Sequence, residues 1–255
     1  MDIVLVTCVG ADDSIDPADL IASAAKFPEM EIGLQVCGQC EAVPGFPSRA
    51  WLETFVTLAL DAPIKCVLQV SGDWALGFAH GEPDRWPVSL LRKYRPTDGR
   101  VTREHAVFQR LQLNVDGVQG GDSPFDVTLL AATLEFGHGR RMVLRSDDYN
   151  QDLLDELDQS GAEYDIVERW GRPRAAYRRR PNHFTSYAGV FLPVGGKAAI
   201  GAFENVGSSS IGIEIKDQLR SEDGKSYRLE NAVEMILAVR RWNNAGPPQR
   251  IDNPV

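Results

Sequence analysis

The chain lacks several features that mark membrane, secreted and nucleic-acid-binding proteins. No apolar run approaches the roughly 20 residues that a membrane-spanning helix needs. The N-terminus carries Asp2 and no basic stretch, which argues against a secretory signal peptide. A formal net charge of −9 disfavours nucleic acid, whose phosphates attract a basic surface. We therefore expect a cytoplasmic protein that binds no membrane and, in general, no nucleic acid; the sequence gives no indication of its oligomeric state.

Cysteine is also scarce, with four residues among 255. This number is too small for the disulfide framework of a small secreted protein, so reduced thiols are expected. Cys37 and Cys40 form one C-x-x-C pair, which is half of a zinc site. Cys8 together with His80 or His105 would be needed to complete it, and redox chemistry is the other functional alternative. We expect plain reduced cysteines, no metal and no cofactor.

What the sequence does contain is a regular alternation of apolar and amphipathic segments. The apolar segments are rich in Val, Ile and Leu, which is typical of parallel strands that are buried on both faces. Alternating strands and helices imply right-handed parallel crossovers. The length of 255 residues is close to the roughly 250 of an eight-stranded α/β barrel. We predict a single (β/α)8 TIM-barrel domain over residues 1–255, with an open doubly wound sheet as the alternative.

The predicted elements follow from these patterns and from capping residues. The strands are predicted at residues 3–9, 31–37, 64–72, 106–115, 140–146, 163–170, 184–192 and 210–216. The helices are predicted from Pro17 onward, with Asp16 as the cap, and at residues 48–60, 123–137, 150–161 and 229–242. Residues 73–104 are interpreted as a lid-like insertion after strand three that contains a possible helix at "SLLRKY". Residues 171–182 form a basic loop after strand six.

Several segments resemble phosphoribosylanthranilate isomerase. The segment "IVLVTCVG" looks like the first strand of that family, which usually ends in Ile-Cys-Gly. "EIGLQV" and "GFPSRAWL" are similar to its second strand and next helix. "FQRLQLNV", "SYAG" and "IGIEIKDQLRSEDGKSYRLENAVEMIL" are similar to a divergent branch of isomerase-like barrels. The resemblance spans nearly the whole chain.

The resemblance implies a barrel that binds a phosphorylated ligand and performs acid–base catalysis. In the family, a cysteine that ends strand one is the general base and an aspartate that ends strand five is the general acid, in an Amadori rearrangement. Cys8 matches the first position, and Asp147 is the nearest match to the second, with Asp148 as a rival. The family's phosphate grip uses glycine-rich backbone after strands seven and eight. Here "AGVFLPVGG", which contains Gly189, replaces the expected Gly-Gly turn, and "IEIKDQ" replaces the expected Ser-Gly turn.

Each of these candidates also has a purely structural interpretation. Cys8 could be a small buried apolar residue, as unpaired cysteines often are. Asp147 or Asp148 could cap the following helix. Arg172 and Arg174 lie in the arginine-rich loop, where guanidinium groups suit phosphate or carboxylate oxygens. A solvated loop paired with surface acids is the alternative there.

Polar residues at the ends of strands four and eight complete the predicted site. A barrel binds its ligands at the carboxyl ends of its strands. Asn114 lies near the end of strand four, and strand eight is followed by Lys216, Asp217 and Arg220, for which structural salt bridges are the alternative. The predicted ligand-binding residues are Asn114, Arg172, Arg174, Gly189, Lys216, Asp217 and Arg220.

Two functional hypotheses from different classes follow. The first is an isomerase-like enzyme, an intramolecular oxidoreductase that acts on a phosphorylated small molecule by acid–base catalysis. The second is a non-catalytic barrel that sequesters an anionic, nucleotide-like small molecule. Both place the ligand at the same end of the barrel, because the fold alone does not fix the function. An interaction protein whose arginine loop docks an acidic partner is a third, weaker possibility.

Overall fold

The computed structural model describes residues 2–93, 106–114, 126–136, 140–146, 150–169, 183–188 and 210–245. Eight parallel strands form one closed barrel in chain order, with β8 hydrogen-bonded to β1. The predicted (β/α)8 TIM barrel is therefore confirmed. The strands are β1 Asp2–Val9, β2 Met30–Cys37, β3 Lys65–Ser71, β4 Arg110–Leu113, β5 Arg141–Ser146, β6 Asp165–Arg169, β7 Thr185–Ala188 and β8 Ser210–Ile215.

Seven α-helices are present among the described residues. They are α1 Pro17–Ala24, α2 Arg49–Ala59, α3 Asp73–Ala79, α4 Arg85–Leu91, α5 Val127–Phe136, α6 Gln151–Ser160 and α7 Leu229–Ala245. A short 3-10 turn, Asp217–Leu219, follows β8. No helix in the described ranges is long and apolar enough to cross a membrane.

Local capping chemistry explains where several helices begin and end. The carboxylate of Asp16 accepts a hydrogen bond of 2.8 Å from the Ala18 amide, and Pro17 occupies the first helical position of α1. The Ser48 hydroxyl accepts from the Trp51 amide at the start of α2. Gly161 ends α6 in the left-handed region, at φ 77°, where glycine meets no steric penalty. The predicted caps Asp16 and Ser48 are therefore confirmed.

Several element boundaries differ from the predictions, and at two of them a side-chain hydrogen bond explains the difference. The apolar pattern predicts strand four at 106–115, but β4 covers only Arg110–Leu113, because the side chain of Gln109 bonds the backbone of Cys66 and Ala106. The insertion after β3 contains two helices, and α4 begins earlier than "SLLRKY" because Asp84 caps it through the Trp86 amide. Strand seven is predicted at 184–192; β7 covers Thr185–Ala188, and residues 189–192 lie outside the described residues.

The barrel and its helices enclose an apolar layer that stabilises the fold. Alternate strand residues point outward into this layer, where they are shielded from water by the helices. Burying this apolar surface supplies the main favourable free energy of folding, on the order of 25 cal/mol per Å². Fully buried members from the strands include Val6, Cys8, Ile32, Leu34, Leu68, Leu111, Leu144, Ile166 and Ile213.

The lumen, by contrast, is charged at the amino ends of the strands. Glu31 Oε2 accepts hydrogen bonds from Thr7 Oγ1 at 2.8 Å and from Arg110 Nη1 at 2.6 Å. Asp165 Oδ1 accepts from Arg141 Nη2 at 2.8 Å, and Asp165 Oδ2 lies 3.8 Å from Arg110 Nε. We call these five residues the lower lumen network. Residues at this end of a barrel serve stability rather than catalysis.

Candidate functional site

A chain of side-chain amides crosses the upper lumen, at the carboxyl ends of the strands. Gln35, Gln69 and Gln112 face one another in register on β2, β3 and β4. Gln35 Nε2 donates to Gln69 Oε1 at 3.2 Å, and Gln69 Nε2 donates to Gln112 Oε1 at 3.2 Å. Gln112 Nε2 then donates to Asn114 Oδ1 at 3.0 Å, and Asn114 Nδ2 donates to Ser71 Oγ at 2.8 Å. We call the four amide residues the amide ladder.

Glu214 meets this ladder from the opposite side of the lumen. It lies in β8 in register with Thr7, whose side chain also faces the lumen. Gln69 Nε2 donates to Glu214 Oε2 at 2.9 Å. Burial raises the pKa of Glu214 above its ordinary value, and the charge of Arg145 and hydrogen bonds from Gln112 and Gln69 offset only part of this. Glu214 is nevertheless only half-buried, so a ligand in the mouth of the barrel can reach it.

Lys216 lies two residues further along the chain, at the rim of the mouth. Burial lowers the pKa of its ammonium group, while the charges of Asp217 and Glu214 act in the opposite direction and Arg145 acts in the same one. The Lys216 ammonium lies 5.5 Å from the centre of the Phe46 ring. The pKa of an acid is therefore raised and that of a base lowered within one mouth, a pattern found in acid–base sites.

Arg220 ties together three loops beside this mouth. Its Nη2 donates to Asp12 Oδ2 at 2.6 Å and its Nη1 donates to the Gly10 carbonyl at 2.7 Å. Asp12 Oδ2 also accepts from the Gly45 amide at 2.6 Å. Burial acts to raise the pKa of Asp12, but hydrogen bonds from Ser14, Gly45 and Arg220 hold it below its usual range. A ligand-binding role for Arg220 stays a prediction, and these contacts favour the structural alternative.

Cys8, predicted as the general base, lies on the other face of β1. A Cβ added to Gly33 would meet Val9 and Thr7, so these two residues face the lumen and Cys8 faces the helices. Its side chain is fully buried, and its Sγ lies 3.9 Å from the Val6 carbonyl. Burial, reinforced by the charge of Glu31, raises the pKa of the thiol. The catalytic role of Cys8 stays a prediction, and its surroundings do not favour a thiolate.

The other predicted site residues divide into two groups. Asn114 lies in the amide ladder, and Lys216 and Asp217 follow β8 as expected, with Asp217 exposed to solvent. The remaining predicted residues, Asp147, its rival Asp148, Arg172, Arg174 and Gly189, lie outside the described residues, as does the basic loop 171–182.

The prediction of four reduced cysteines is wrong for one pair. Cys37 and Cys40 form a disulfide bond, whereas Cys8 and Cys66 are buried and take no part in one. Within the described ranges, no group of three or more His, Cys, Asp or Glu residues is placed to hold a metal ion. His105, one of the conceivable zinc ligands, lies outside those ranges.

Sequence reasoning missed the most informative residues of the mouth. Glu214 is the acidic residue in the apolar run "SIGIEI", and Gln35 and Gln69 are the single amides in "EIGLQVC" and "KCVLQVS". A polar residue within an otherwise buried strand is usually hydrogen-bonded inside the protein. One such residue at the same depth in several strands was the signal available in the sequence.

No family model and no curated protein matches the chain. Among solved structures, N-(5'-phosphoribosyl)anthranilate isomerase from Pyrococcus furiosus superposes with a TM-score of 0.54 at 11% identity, over 94% of this chain and 100% of that one. KGPDC from Streptococcus mutans, in its complex with ribose-5-phosphate, superposes with a TM-score of 0.54 at 10% identity, over 94% and 99%. At such identities the likeness confirms the isomerase-like resemblance at the level of the fold.

Proposed function

We propose that this chain is an isomerase-like enzyme that moves a proton within a phosphorylated small molecule bound at the barrel mouth. The observation that carries the proposal is Glu214, a half-buried carboxyl group with a raised pKa that is oriented by the amide of Gln69. One structural neighbour is named for a phosphoribosyl compound and another is a complex with ribose-5-phosphate, which supports a phosphorylated substrate.

Glu214 is suited to proton transfer between adjacent carbon atoms. In an aldose–ketose isomerisation, its carboxylate would take a proton from the carbon next to the carbonyl group. The protonated Glu214 would then return that proton to the former carbonyl carbon, while the hydroxyl proton of the substrate passes to the former carbonyl oxygen, so that no proton is gained or lost overall. A carboxyl group whose pKa lies above its ordinary value can perform both steps near neutral pH. The hydrogen bonds from Gln69 and Gln112 orient the carboxyl group at the barrel mouth.

The cations of the mouth would bind the anionic parts of the substrate. Lys216 and Arg145 both interact electrostatically with Glu214, so they border the same space. Their positive charges would stabilise the oxyanion that forms when the proton leaves carbon. Arg172, Arg174 and the backbone at Gly189 are proposed to hold the phosphate group, as the sequence predicts.

Of the two catalytic residues that the family resemblance implies, this proposal keeps one and replaces the other. Asp147 is kept as a second acid at the end of β5. Cys8 faces the helix layer, which does not favour a role as the general base. The proposal assigns this role to Glu214 instead. The same orientation of Cys8 is the observation that favours the alternative function, a non-catalytic barrel that binds an anionic, nucleotide-like molecule. A cytoplasmic location stays part of the proposal.

The proposal is tested by following solvent deuterium. The wild-type protein is incubated in D2O with a panel of aldose and aminoaldose phosphates, and isomer formation and deuterium incorporation are measured by mass spectrometry. We expect one compound to be converted by the wild type and by Glu230→Gln, an exposed control on α7, but not by Glu214→Gln. Stoichiometric binding of a compound without isomer or deuterium would instead establish the binder.

A further inference from the structure

The Cys37–Cys40 disulfide lies at the mouth of the barrel, directly above the amide ladder. Successive residues of a strand face opposite sides, so Cys37 shares the lumen face of β2 with Gln35. Cys37 is also in register with Ser71 on β3, and Ser71 accepts the hydrogen bond from Asn114 that ends the ladder. The covalent link therefore closes the turn 37–40, at the start of the β2–α2 loop and at the rim of the candidate site.

Two properties distinguish this disulfide from a purely structural one. It joins residues only three apart in sequence, and a disulfide that closes so short a loop constrains the unfolded chain least. Both cysteines are half-buried and the intervening Gly38 and Gln39 are exposed, so a reductant can approach. Cys66, in contrast, is fully buried in the apolar layer.

The short loop is anchored to the insertion that follows β3. A Cβ on Gly38 would lie 3.2 Å from Trp74 Nε1, so the backbone rests against this indole ring. Gln39 Nε2 donates to Asp73 Oδ2 at 3.4 Å. The Trp74 ring in turn lies 5.4 Å from the ring of Trp86. A narrow cleft lies between these tryptophans and the disulfide, and Gln35 also lines it.

The other end of the same loop contacts the charged part of the mouth. The amide of Gly45 donates to Asp12, and the neighbouring Phe46 ring lies beneath the Lys216 ammonium. A change in the conformation of this loop would therefore alter the surroundings of Lys216 as well as those of Gln35.

We propose that Cys37 and Cys40 form a reversible thiol–disulfide couple whose oxidised state fixes the start of the β2–α2 loop at the barrel mouth. In the reductive step, a thiolate of a dithiol attacks one sulfur atom, the Cys37–Cys40 bond breaks, and the other cysteine leaves as a thiolate. The second thiol of the reductant then resolves the mixed disulfide. Two electrons and two protons pass from the dithiol, which becomes a cyclic disulfide.

The chemistry favours a dithiol over a monothiol as the redox partner. After attack by a monothiol, the released cysteine lies beside the mixed disulfide and displaces the monothiol again, because the two cysteines are held in one short loop. A dithiol can outcompete this return reaction, because its own second thiol attacks the mixed disulfide within the same molecule. The partner class is therefore a small dithiol or a protein with a vicinal thiol pair.

Alkylation under native conditions tests the couple itself. The full chain is treated with oxidised or reduced dithiothreitol and alkylated with iodoacetamide, and its peptides are measured by mass spectrometry. We expect Cys37 and Cys40 to be alkylated only after reduction, and the buried Cys8 and Cys66 to remain unlabelled in both states. Alkylation of Cys37 and Cys40 after oxidation, or resistance of the pair to dithiothreitol in the folded protein, overturns the proposal.

Hydrogen exchange tests whether the couple controls the loop. Reduction of the wild type should accelerate amide exchange in residues 38–41 by about tenfold or more and change tryptophan emission. Cys40→Ser should exchange rapidly without reductant and give no response to it, and Cys66→Ser, which keeps the pair, should respond as the wild type does. Circular dichroism monitors folding. If a variant unfolds, hydrogen exchange of the reduced wild type still shows how the loop behaves without the disulfide. Unchanged exchange and emission on reduction would mean an inert disulfide and refute the proposal.

Discussion

At the amino ends of the strands, Glu31 and Asp165 each face an arginine, whereas at the carboxyl ends Glu214 is held by the neutral amide of Gln69. Both regions are polar and both lie inside the same barrel. In the lower lumen network each carboxylate has a cationic partner within hydrogen-bond distance, which fixes its charge and its position. At the mouth, burial dominates and the pKa of Glu214 rises. The carboxylates that stabilise the barrel, Glu31 and Asp165, are thus ion-paired with arginines. Glu214, whose raised pKa allows it to exchange a proton, is instead held by an amide.

The largest expected effect comes from Glu214→Gln. The amide oxygen of glutamine can still accept from Gln69 Nε2, so the fold and the ladder should persist. The proton carrier is lost, so we expect turnover to fall by about 10²–10⁴-fold with little change in thermal stability. Steady-state kinetics on the compound found in the deuterium screen, together with thermal melts, provide the measurement. Retained turnover would remove Glu214 from the mechanism.

Arg110→Met tests the lower lumen network. In contrast to Glu214→Gln, it should lower stability. It leaves Glu31 buried without its cationic partner, so we expect the free energy of unfolding to fall by about 3–5 kcal/mol. Arg228→Met is the matched control, because the Arg228–Glu230 pair is exposed and should be worth at most about 1 kcal/mol. Urea denaturation measures both. Equal losses in the two variants would contradict the distinction between the networks.

Within the amide ladder, the position of a glutamine should decide the cost of removing it. Gln69→Leu removes three hydrogen bonds, those that join Gln69 to Gln35, Gln112 and Glu214, so we expect a loss of about 1–3 kcal/mol. Gln35→Leu removes a single hydrogen bond at the end of the ladder, because no group in the described part of the chain bonds Gln35 Oε1. Its cost should be about 1 kcal/mol or less. Urea denaturation should show a larger loss of unfolding free energy for Gln69→Leu than for Gln35→Leu. The reverse order would contradict the central position of Gln69 in the ladder.

The smallest effect is a difference in the pH dependence of stability. Because the pKa of Glu214 is higher in the folded than in the unfolded state, its contribution is fully present below the ordinary value of 4.5 and is lost as the pH rises through the folded value. The wild type should therefore lose stability relative to Glu214→Gln as the pH rises through this window. Urea denaturation at successive pH values gives the difference, and a gain in relative stability with rising pH would contradict the raised pKa.

The sequence predicted those parts of the fold that depend on local chemistry. Asp16 and Ser48 mark helix starts by hydrogen bonds within their own turn and Pro17 does so by its fixed φ, and both caps were found where expected. The apolar runs predicted eight strands because strands buried on both faces have a recognisable composition. The β4 boundary was misplaced because it depends on a contact between Gln109 and Cys66, which are 43 residues apart.

The site was harder to predict because it depends on which face of each strand points inward. A strand such as β1 is apolar on both faces, so its sequence does not reveal whether Cys8 or Thr7 faces the lumen. Family resemblance favoured Cys8, whereas the register with Glu31 and Glu214 places Thr7 inside. Glu214 was overlooked for the same reason, since its role emerges only when β8 and β3 meet across the lumen.

Glu214 is proposed as a proton-exchanging carboxyl group that, among the residues that the structure describes, is hydrogen-bonded by amides and forms no ion pair. A carbon-detected NMR titration of the glutamate side chains measures this directly, with the Glu214 resonance assigned by its absence in Glu214→Gln. We expect Glu214 to titrate clearly above the ordinary glutamate value of 4.5. Titration at or below that value would mean that the carboxylate is stabilised like those of the lower lumen network, and it would contradict the account.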